Sequence, residues 1–319
     1  MKPKVLVTHK VLPEALAFLE EHVDFEIGTS ETYLPKDELI EKLRDKEGLL
    51  PLLTAPIDKE IMDSAPQLKI IANCAVGYDN IDIGYAKQKG IMVTNTPGVL
   101  TETTADLTWA LILAVARRIP QADHFTRAKK YIGWKLDLFL GKEITGKCLG
   151  IIGMGRIGKA VALRAQAFQM SVIYTDPKML SEEDQEKYRA ACVPLDELLS
   201  TADIVTIHTT LNPQTHHLIS DEKLRLMKKD AILINVARGP IVDEKALVGA
   251  LERKQIWAAG LDVYEREPEI EEGLLSLENV VLLPHIGSAS YETRLKMAMK
   301  AAKNLIQGLS GQKPDNLVV

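Results

Sequence analysis

The stretch from Leu149 to Pro177 leaves this chain few architectures to choose from. It opens with an apolar run, Leu149 to Ile152, bounded by glycine and too short to be a helix of its own, so it reads as a buried strand. The turn Gly153-Met154-Gly155-Arg156-Ile157-Gly158 then supplies glycines at the G-x-G-x-x-G spacing. The first lets the chain turn sharply, the second admits a pyrophosphate to bare backbone, and the third lets the next helix pack close to the strand. That helix, about Arg156 to Phe168, would aim its free N–H groups and positive dipole end at the phosphates. A second strand, Ser171 to Thr175, ends at Asp176, about where such units place an acid on the adenosine ribose. Glycines at this spacing also occur in plain strand-to-helix turns. Strand, glycines, helix, strand and terminal acid in this order point to a dinucleotide site instead.

The chain has 319 residues, enough for two cores of ordinary domain size. It is 46% hydrophobic and 26% charged, with both signs scattered evenly, as in a soluble globular protein. A net charge of −5 argues against nucleic acid as the main partner. The basic doublets Arg117-Arg118, Lys129-Lys130 and Lys228-Lys229 are too small to neutralise phosphates and read as solvated helix ends. Cys74, Cys148 and Cys192 cannot all pair and show no CxxC spacing, so a reducing compartment and no metal are expected. Cys74 and Cys148 lie in apolar runs and read as buried packing residues. The opening MKPKVLVTHK lacks the pattern of a signal peptide. The most apolar segment, Leu107 to Ala116, is too short to span a bilayer and closes on Arg117-Arg118. A cytoplasmic protein with no membrane partner is the expectation.

Strands and helices alternate from the start. Val5 to Thr8 reads as a strand, Pro13 to Glu21 as a helix, Phe25 to Ile27 as a strand, Lys36 to Arg44 as a helix and Leu49 to Leu53 as a strand. Helices over Asp58 to Ser64 and Ile81 to Lys89 alternate with strands over Leu68 to Cys74 and Ile91 to Thr94. Such βαβ units imply a doubly wound parallel sheet. Thr101 to Arg117 is a long helix, apolar nearly all round, and its place between two α/β units makes it a bridge. Ile119 to Lys147 reads as irregular, either a surface excursion or a subunit contact. After the dinucleotide unit, strands are expected at Ile204 to His208, Ala231 to Val236, Ala258 to Val263 and Val280 to Leu283. Helices are expected at Asp221 to Leu226, Asp243 to Arg253 and Tyr291 to Leu309.

Three polar stretches sit just past apolar strands in the second half, the edge where doubly wound sheets bind ligands. They are NVARGPIVDE with Arg238, GLDVYEREP with Asp262 and Glu267, and LLPHIGSAS with His285. Hydride transfer to a carbonyl leaves charge on oxygen, and histidine is the natural proton donor near neutral pH. A carboxylate such as Glu267 would favour the imidazolium and fix which ring nitrogen faces the substrate. Arginine presents a planar fork to a carboxylate. The set therefore suits reduction of a 2-oxo acid. Taken singly, each has a plainer reading: Arg238 pairing with Asp243, Glu267 as one more charge in EREPEIEE, His285 as a satisfied strand-end ring. His216 and His217 are adjacent, so on strand or helix their rings would diverge; they read as loop residues.

NCAVGYDNID, TNTPGVLTETTADLTWALILAVARRI, GMGRIG, NVARGPIVDE, GLDVYEREP and LLPHIGSAS together cover most of the chain. In these motifs it resembles the D-isomer-specific 2-hydroxyacid dehydrogenase family, and more narrowly its glyoxylate/hydroxypyruvate reductase branch. The resemblance implies that Arg238 binds the substrate carboxylate, Glu267 supports His285, and His285 donates the proton. It implies that backbone at Val76 and Gly77 holds the carboxylate, with Leu53 at the pocket wall, and that Asp262 meets the nicotinamide carboxamide. It places Thr104, Thr210, Val236, Ala237 and His285 beside the cofactor. It further implies two similar α/β domains (Rossmann-like and flavodoxin-like) with the active site in a cleft between them. Residues 1–99 with 287–319 would bind substrate, residues 100–286 the dinucleotide, and the chain would form a homodimer. Some relatives preferring NADP carry a basic residue about where Asp176 stands, whereas a carboxylate repels a 2′-phosphate. NAD is therefore the expected cofactor, with NADP left open by Arg156 and Lys178. Where many relatives have Trp-x-Pro, this chain has GWKLDLF, so Trp134 reads either as a pocket residue or as a dimer-contact anchor.

Within the same fold, the alternatives are oxidation of D-3-phosphoglycerate or another D-2-hydroxy acid. Formate dehydrogenation fits worse, because Glu267 is present. An alternative of another class is a dinucleotide-sensing corepressor, which could retain the same three residues.

Overall fold

Alternating short strands and helices build two all-parallel α/β units. A computed structural model describes residues 1–28 and 34–319. One unit comprises Met1–Leu100 and Ser288–Val319, the other Thr101–Gly287.

In the first unit, β1 (Lys4–Val7), β2 (Asp24–Ile27), β3 (Gly48–Leu50), β4 (Ile70–Ala72) and β5 (Met92–Thr94) form a parallel sheet ordered β2-β1-β3-β4-β5. Val5, Leu6 and Val7 are wholly buried, as expected where helices cover both faces of a parallel sheet. Strand order reverses between β1 and β3, the kind of switch point that doubly wound sheets use for ligands. The helix Tyr291–Leu309 belongs to this unit despite its late place in the chain. Two glycines bring it onto the sheet: a Cβ on Gly308 would lie 2.4 Å from Ile70 Cδ1, and one on Gly48 2.9 Å from Leu305 Cδ1. The tail then pairs antiparallel with β5, Leu317 opposite Thr94, and Val318 N–H donates to Val93 O at 2.7 Å. This edge strand is thus covered rather than open to other chains.

In the second unit, β6 (Cys148–Ile152), β7 (Ser171–Thr175), β8 (Ala190–Cys192), β9 (Ile204–Ile207), β10 (Ile232–Asn235), β11 (Ala258–Leu261) and β12 (Val280–Leu282) are ordered β12-β11-β10-β9-β6-β7-β8. Counted from the unit's own first strand, this is the 3-2-1-4-5-6 order of dinucleotide-binding sheets with one strand added at the edge. The long helix Thr101–Ala116 lies entirely in this unit and is no bridge. It is apolar nearly all round because it is buried on the sheet. Gly260 of β11 lets it approach: a Cβ there would lie 2.7 Å from Leu111 Cγ. On its other side Trp109 stacks flat on Phe168, ring centroids 4.5 Å apart.

Two segments depart from the sequence expectations. Residues 119–147 are not irregular throughout, since Ile119–Arg127 is a helix. None of its residues is buried, so no apolar stripe marked it. Between Pro177 and Asp203, where the hydrophobic pattern marks no element, the chain forms helix Glu182–Tyr188, β8 and helix Leu195–Thr201. The first of these helices also buries nothing, though Ser181 caps it by accepting the Asp184 N–H. Cys74 is buried, whereas Cys148, at the head of β6, is only partly so. Among the described residues no helix is long and apolar enough to cross a membrane.

Candidate active site

The glycine turn after β6 assigns each glycine a separate task. Gly153 has φ +95°, and a Cβ on it would lie 2.6 Å from Thr209 N, so only glycine lets the turn abut the end of β9. A Cβ on Gly158 would lie 2.2 Å from Gly153 O, which closes the helix onto the turn. A Cβ on Gly155 would meet nothing within 4 Å. Bare backbone therefore faces open space at the start of helix Arg156–Ala165, whose cap supplies no side-chain acceptor. Unsatisfied N–H groups at the positive end of a helix suit a phosphate. Asp176, just past β7, is fixed at both oxygens: Oδ2 accepts the Met154 N–H and Oδ1 the Lys178 N–H, each at 2.8 Å. These residues fit a dinucleotide. Across the turn, His208 lies 2.9 Å from Thr206 Oγ1 through Nε2, and burial pushes its pKa down to about 3. It is a neutral ring that sequence reasoning did not single out.

The polar stretches after β10, β11 and β12 form one network. His285 Nδ1 lies 2.7 Å from Glu267 Oε2, and each side chain keeps about a quarter of its surface exposed, 26% and 25%. Burial works against charge on Glu267. The hydrogen bond to His285, the His285 charge, the Tyr264 N–H (3.0 Å from Oε1) and the Arg238 charge outweigh it and hold the carboxyl below its ordinary value. Tyr264 also donates its hydroxyl to Leu283 O at 2.8 Å, tying the glutamate loop to the strand that leads to the histidine. Arg238 donates Nη1–H to Ala237 O at 2.8 Å and precedes a 3-10 turn, Gly239–Ile241. A Cβ on Gly239 would lie 1.8 Å from Tyr264 C, so the arginine turn packs against the backbone leading to Glu267. Asp243 caps helix Glu244–Glu252, its Oδ1 accepting the Ala246 N–H at 3.0 Å.

His285 sits at φ +54°, a left-handed conformation rare for a side chain of its kind. Asp262 stabilises it. This carboxylate is wholly buried and accepts the Ile286 N–H at Oδ1 (2.7 Å) and the Gly287 N–H at Oδ2 (2.8 Å). Burial outweighs these bonds and raises its pKa. Thr104 Oγ1 donates to Gly287 O at 3.0 Å. Both residues, expected beside a cofactor, also build the turn that aims the imidazole. Thr210 is exposed, its carbonyl accepting the Thr215 hydroxyl at 2.7 Å. Val236 and Ala237 lead from β10 to Arg238, where Asn235 accepts the Ala237 N–H and donates to Arg238 O. His216 and His217 lie in a turn, as loop residues; there His217 has φ +50°, and the two rings stack with centroids 4.1 Å apart.

Leu53, Val76 and Gly77 lie in the first unit, past the ends of β3 and β4. Three asparagines hold these turns: Asn73 donates to Gly77 O (2.9 Å), Asn95 to Val76 O (2.8 Å) and Asn80 to Ala55 O (3.0 Å). Sequence reasoning missed all three; Asn73 and Asn95 directly follow β4 and β5, whereas Asn80 lies in the turn before helix Ile83–Lys89 and carries no such signal.

Residues 109–287 match the family model described as D-isomer specific 2-hydroxyacid dehydrogenase, NAD binding domain. The chain is 47% identical over 322 residues to a glyoxylate reductase from Thermococcus onnurineus, covering 100% of this chain and 96% of that protein. Among solved structures it is similar to the TT0316 protein of Thermus thermophilus, with TM-score 0.90, 46% identity and coverage of 99% and 100%. It is also similar to an NADPH-dependent glyoxylate/hydroxypyruvate reductase from Sinorhizobium meliloti in complex with NADP and malonate, with TM-score 0.87, 33% identity and coverage of 100% and 97%.

Proposed function

The chain belongs to the D-isomer specific 2-hydroxyacid dehydrogenases, and from that premise we propose that it reduces glyoxylate and hydroxypyruvate to glycolate and D-glycerate. The observation that carries this reading is the 2.7 Å contact between His285 Nδ1 and Glu267 Oε2. It commits one ring nitrogen to the carboxylate and leaves Nε2 to deliver a proton to the substrate oxygen. A bound reduced nicotinamide supplies the hydride. Glu267, held ionised, orients the ring and stabilises the imidazolium. Arg238 offers its planar fork to the substrate carboxylate. We assign further carboxylate contacts to the N–H groups of Val76 and Gly77, whose carbonyls are engaged by Asn95 and Asn73, and a wall position to Leu53.

For the cofactor we assign the turn Gly153 to Gly158 to the pyrophosphate and Asp176 to the ribose, which favours NAD over NADP because a carboxylate repels a 2′-phosphate. Thr104, Thr210, Val236, Ala237 and Asp262 complete this assignment. The exposed apolar run around Trp134 supports a homodimer, and three unpaired thiols support a cytoplasmic setting.

Purified protein is expected to oxidise NADH steadily when glyoxylate or hydroxypyruvate is added. Tight NADH binding without turnover of any small 2-oxo acid would instead identify a sensor.

A further inference from the structure

We propose that Asn95 is a positioning residue for the substrate: it holds the Val76 carbonyl so that the Gly77 N–H is turned toward the substrate carboxylate, and Asn304 fixes Asn95 in turn. This rests on the carboxylate contact assigned above to Val76 and Gly77 and deepens it.

All the groups concerned lie within the first unit. Three consecutive carbonyls after β4 are each held: Ala75 O accepts the Thr96 N–H at 2.8 Å, Val76 O the Asn95 Nδ2–H at 2.8 Å, and Gly77 O the Asn73 Nδ2–H at 2.9 Å. These peptide bonds are trans, so each plane points its N–H opposite to its carbonyl. The N–H groups of Val76, Gly77 and Tyr78 therefore face away from the residues that hold the carbonyls, and none of the three donates a hydrogen bond among the described residues. Successive unpaired N–H groups suit an anion.

Asn95 is itself clamped on both sides. Its carbonyl accepts the Asn304 Nδ2–H at 3.1 Å, and its N–H donates to Asn316 O at 3.3 Å. Asn304 Oδ1 accepts the Asn316 Nδ2–H at 3.0 Å, so the three asparagines form one connected set. Asn304 lies inside helix Tyr291–Leu309, 1% exposed, on the face where Ala301, Ala302 and Leu305 are wholly buried. Asparagine is a poor helix former, and a buried amide costs free energy unless it is bonded. An apolar side chain would serve that face better, so the use of Asn304 is the bond it makes to Asn95, one residue contact away from Val76.

The test measures kcat and KM for glyoxylate, and NADH affinity, in the wild type, Asn95→Ala, Asn95→Gln, Asn304→Ala and the double alanine variant, with thermal melts as a control for folding. Asn95→Ala is expected to raise KM about tenfold, the loss of one hydrogen bond to a charged group, with kcat lowered less and NADH affinity unchanged. Asn95→Gln, which keeps an amide donor, should recover part of the loss. Asn304→Ala should raise KM less, and the double variant should match Asn95→Ala, because both residues act on one peptide. Asn304→Ser takes the same place in the cycle if Asn304→Ala does not fold. An unchanged KM in Asn95→Ala, equal losses in KM, kcat and NADH affinity, or additive effects in the double variant would overturn the proposal. A wild type that turns over no 2-oxo acid sinks the reductase reading separately. Glycolate affinity of the NAD-loaded protein, measured by calorimetry, then still decides: weaker binding by Asn95→Ala than by the wild type supports the positioning role, and equal binding or none overturns it.

Discussion

His285 combines two features rarely found together, a left-handed backbone and a side chain with one nitrogen already committed to an acid. Removing the ring should therefore remove chemistry and spare the dinucleotide site. His285→Ala is expected to lower kcat by about 10²–10⁴-fold. NADH affinity, followed by fluorescence titration, should fall far less; matched losses would make the residue structural. Glu267 makes a prediction in pH. Its folded-state pKa lies below the ordinary 4.5, so the unfolded chain binds the proton first on acidification. Its stabilising contribution is complete above that ordinary value and disappears as pH falls through the lower folded value. Melting temperatures of the wild type and Glu267→Gln should thus draw together as pH falls below the ordinary 4.5. A constant gap would show that the carboxylate is not held low. Asp176→Ala should raise the NADPH-to-NADH ratio of kcat/KM about tenfold, since one charge repulsion near a surface is worth on the order of 1 kcal/mol or more. An unmoved ratio would place cofactor selectivity at other residues.

Among the elements, the turn that follows β10 has the least room for change. Gly239 touches the backbone of Tyr264 and Glu265, so a methyl group there must displace either the Arg238 turn or the loop leading to Glu267. Two further bonds brace that loop: Glu265 N–H donates to Glu244 Oε1 at 2.7 Å, and Glu244 N–H donates back to Glu265 Oε1 at 2.8 Å. Gly239→Ala is expected to destabilise the protein by about 1–3 kcal/mol and to depress turnover of every substrate together. NADH should still bind, because the glycine turn after β6 is built from other strands. Loss of NADH binding at temperatures where the variant stays folded would contradict this separation. The short exposed helices behave differently. Ile119–Arg127 and Glu182–Tyr188 bury no residue, so their existence depends on caps and neighbours that hydrophobic periodicity does not report.

For the whole molecule, the most telling surface is the run that contains Tyr131 (54% exposed), Ile132 (85%), Trp134 (78%), Leu136 (80%) and Leu140 (67%). A water-facing cluster of this kind calls for a covering partner. The proposed homodimer predicts that light scattering will give twice the chain mass for the wild type and the single-chain mass for Ile132→Asp combined with Leu136→Asp. A monomeric wild type, or a variant that remains dimeric, would move the interface elsewhere. The amino-acid sequence by itself determined the parallel α/β class and the glycine turn, because both are written in spacings of a few residues within single elements. It also marked Arg238, Glu267 and His285 as polar groups past strand ends. Only the tertiary structure decided what each one meets. Glu267 and His285 are 18 residues apart and touch because β11 and β12 adjoin; Asp262 folds the histidine turn, and three asparagines lock the turns near Val76. The last helix shares a core with β4 only because the chain returns to the first sheet after the second unit. Hydrophobic pattern reports how deeply a residue is buried in its own element, whereas the identity of its partner depends on which elements pack side by side.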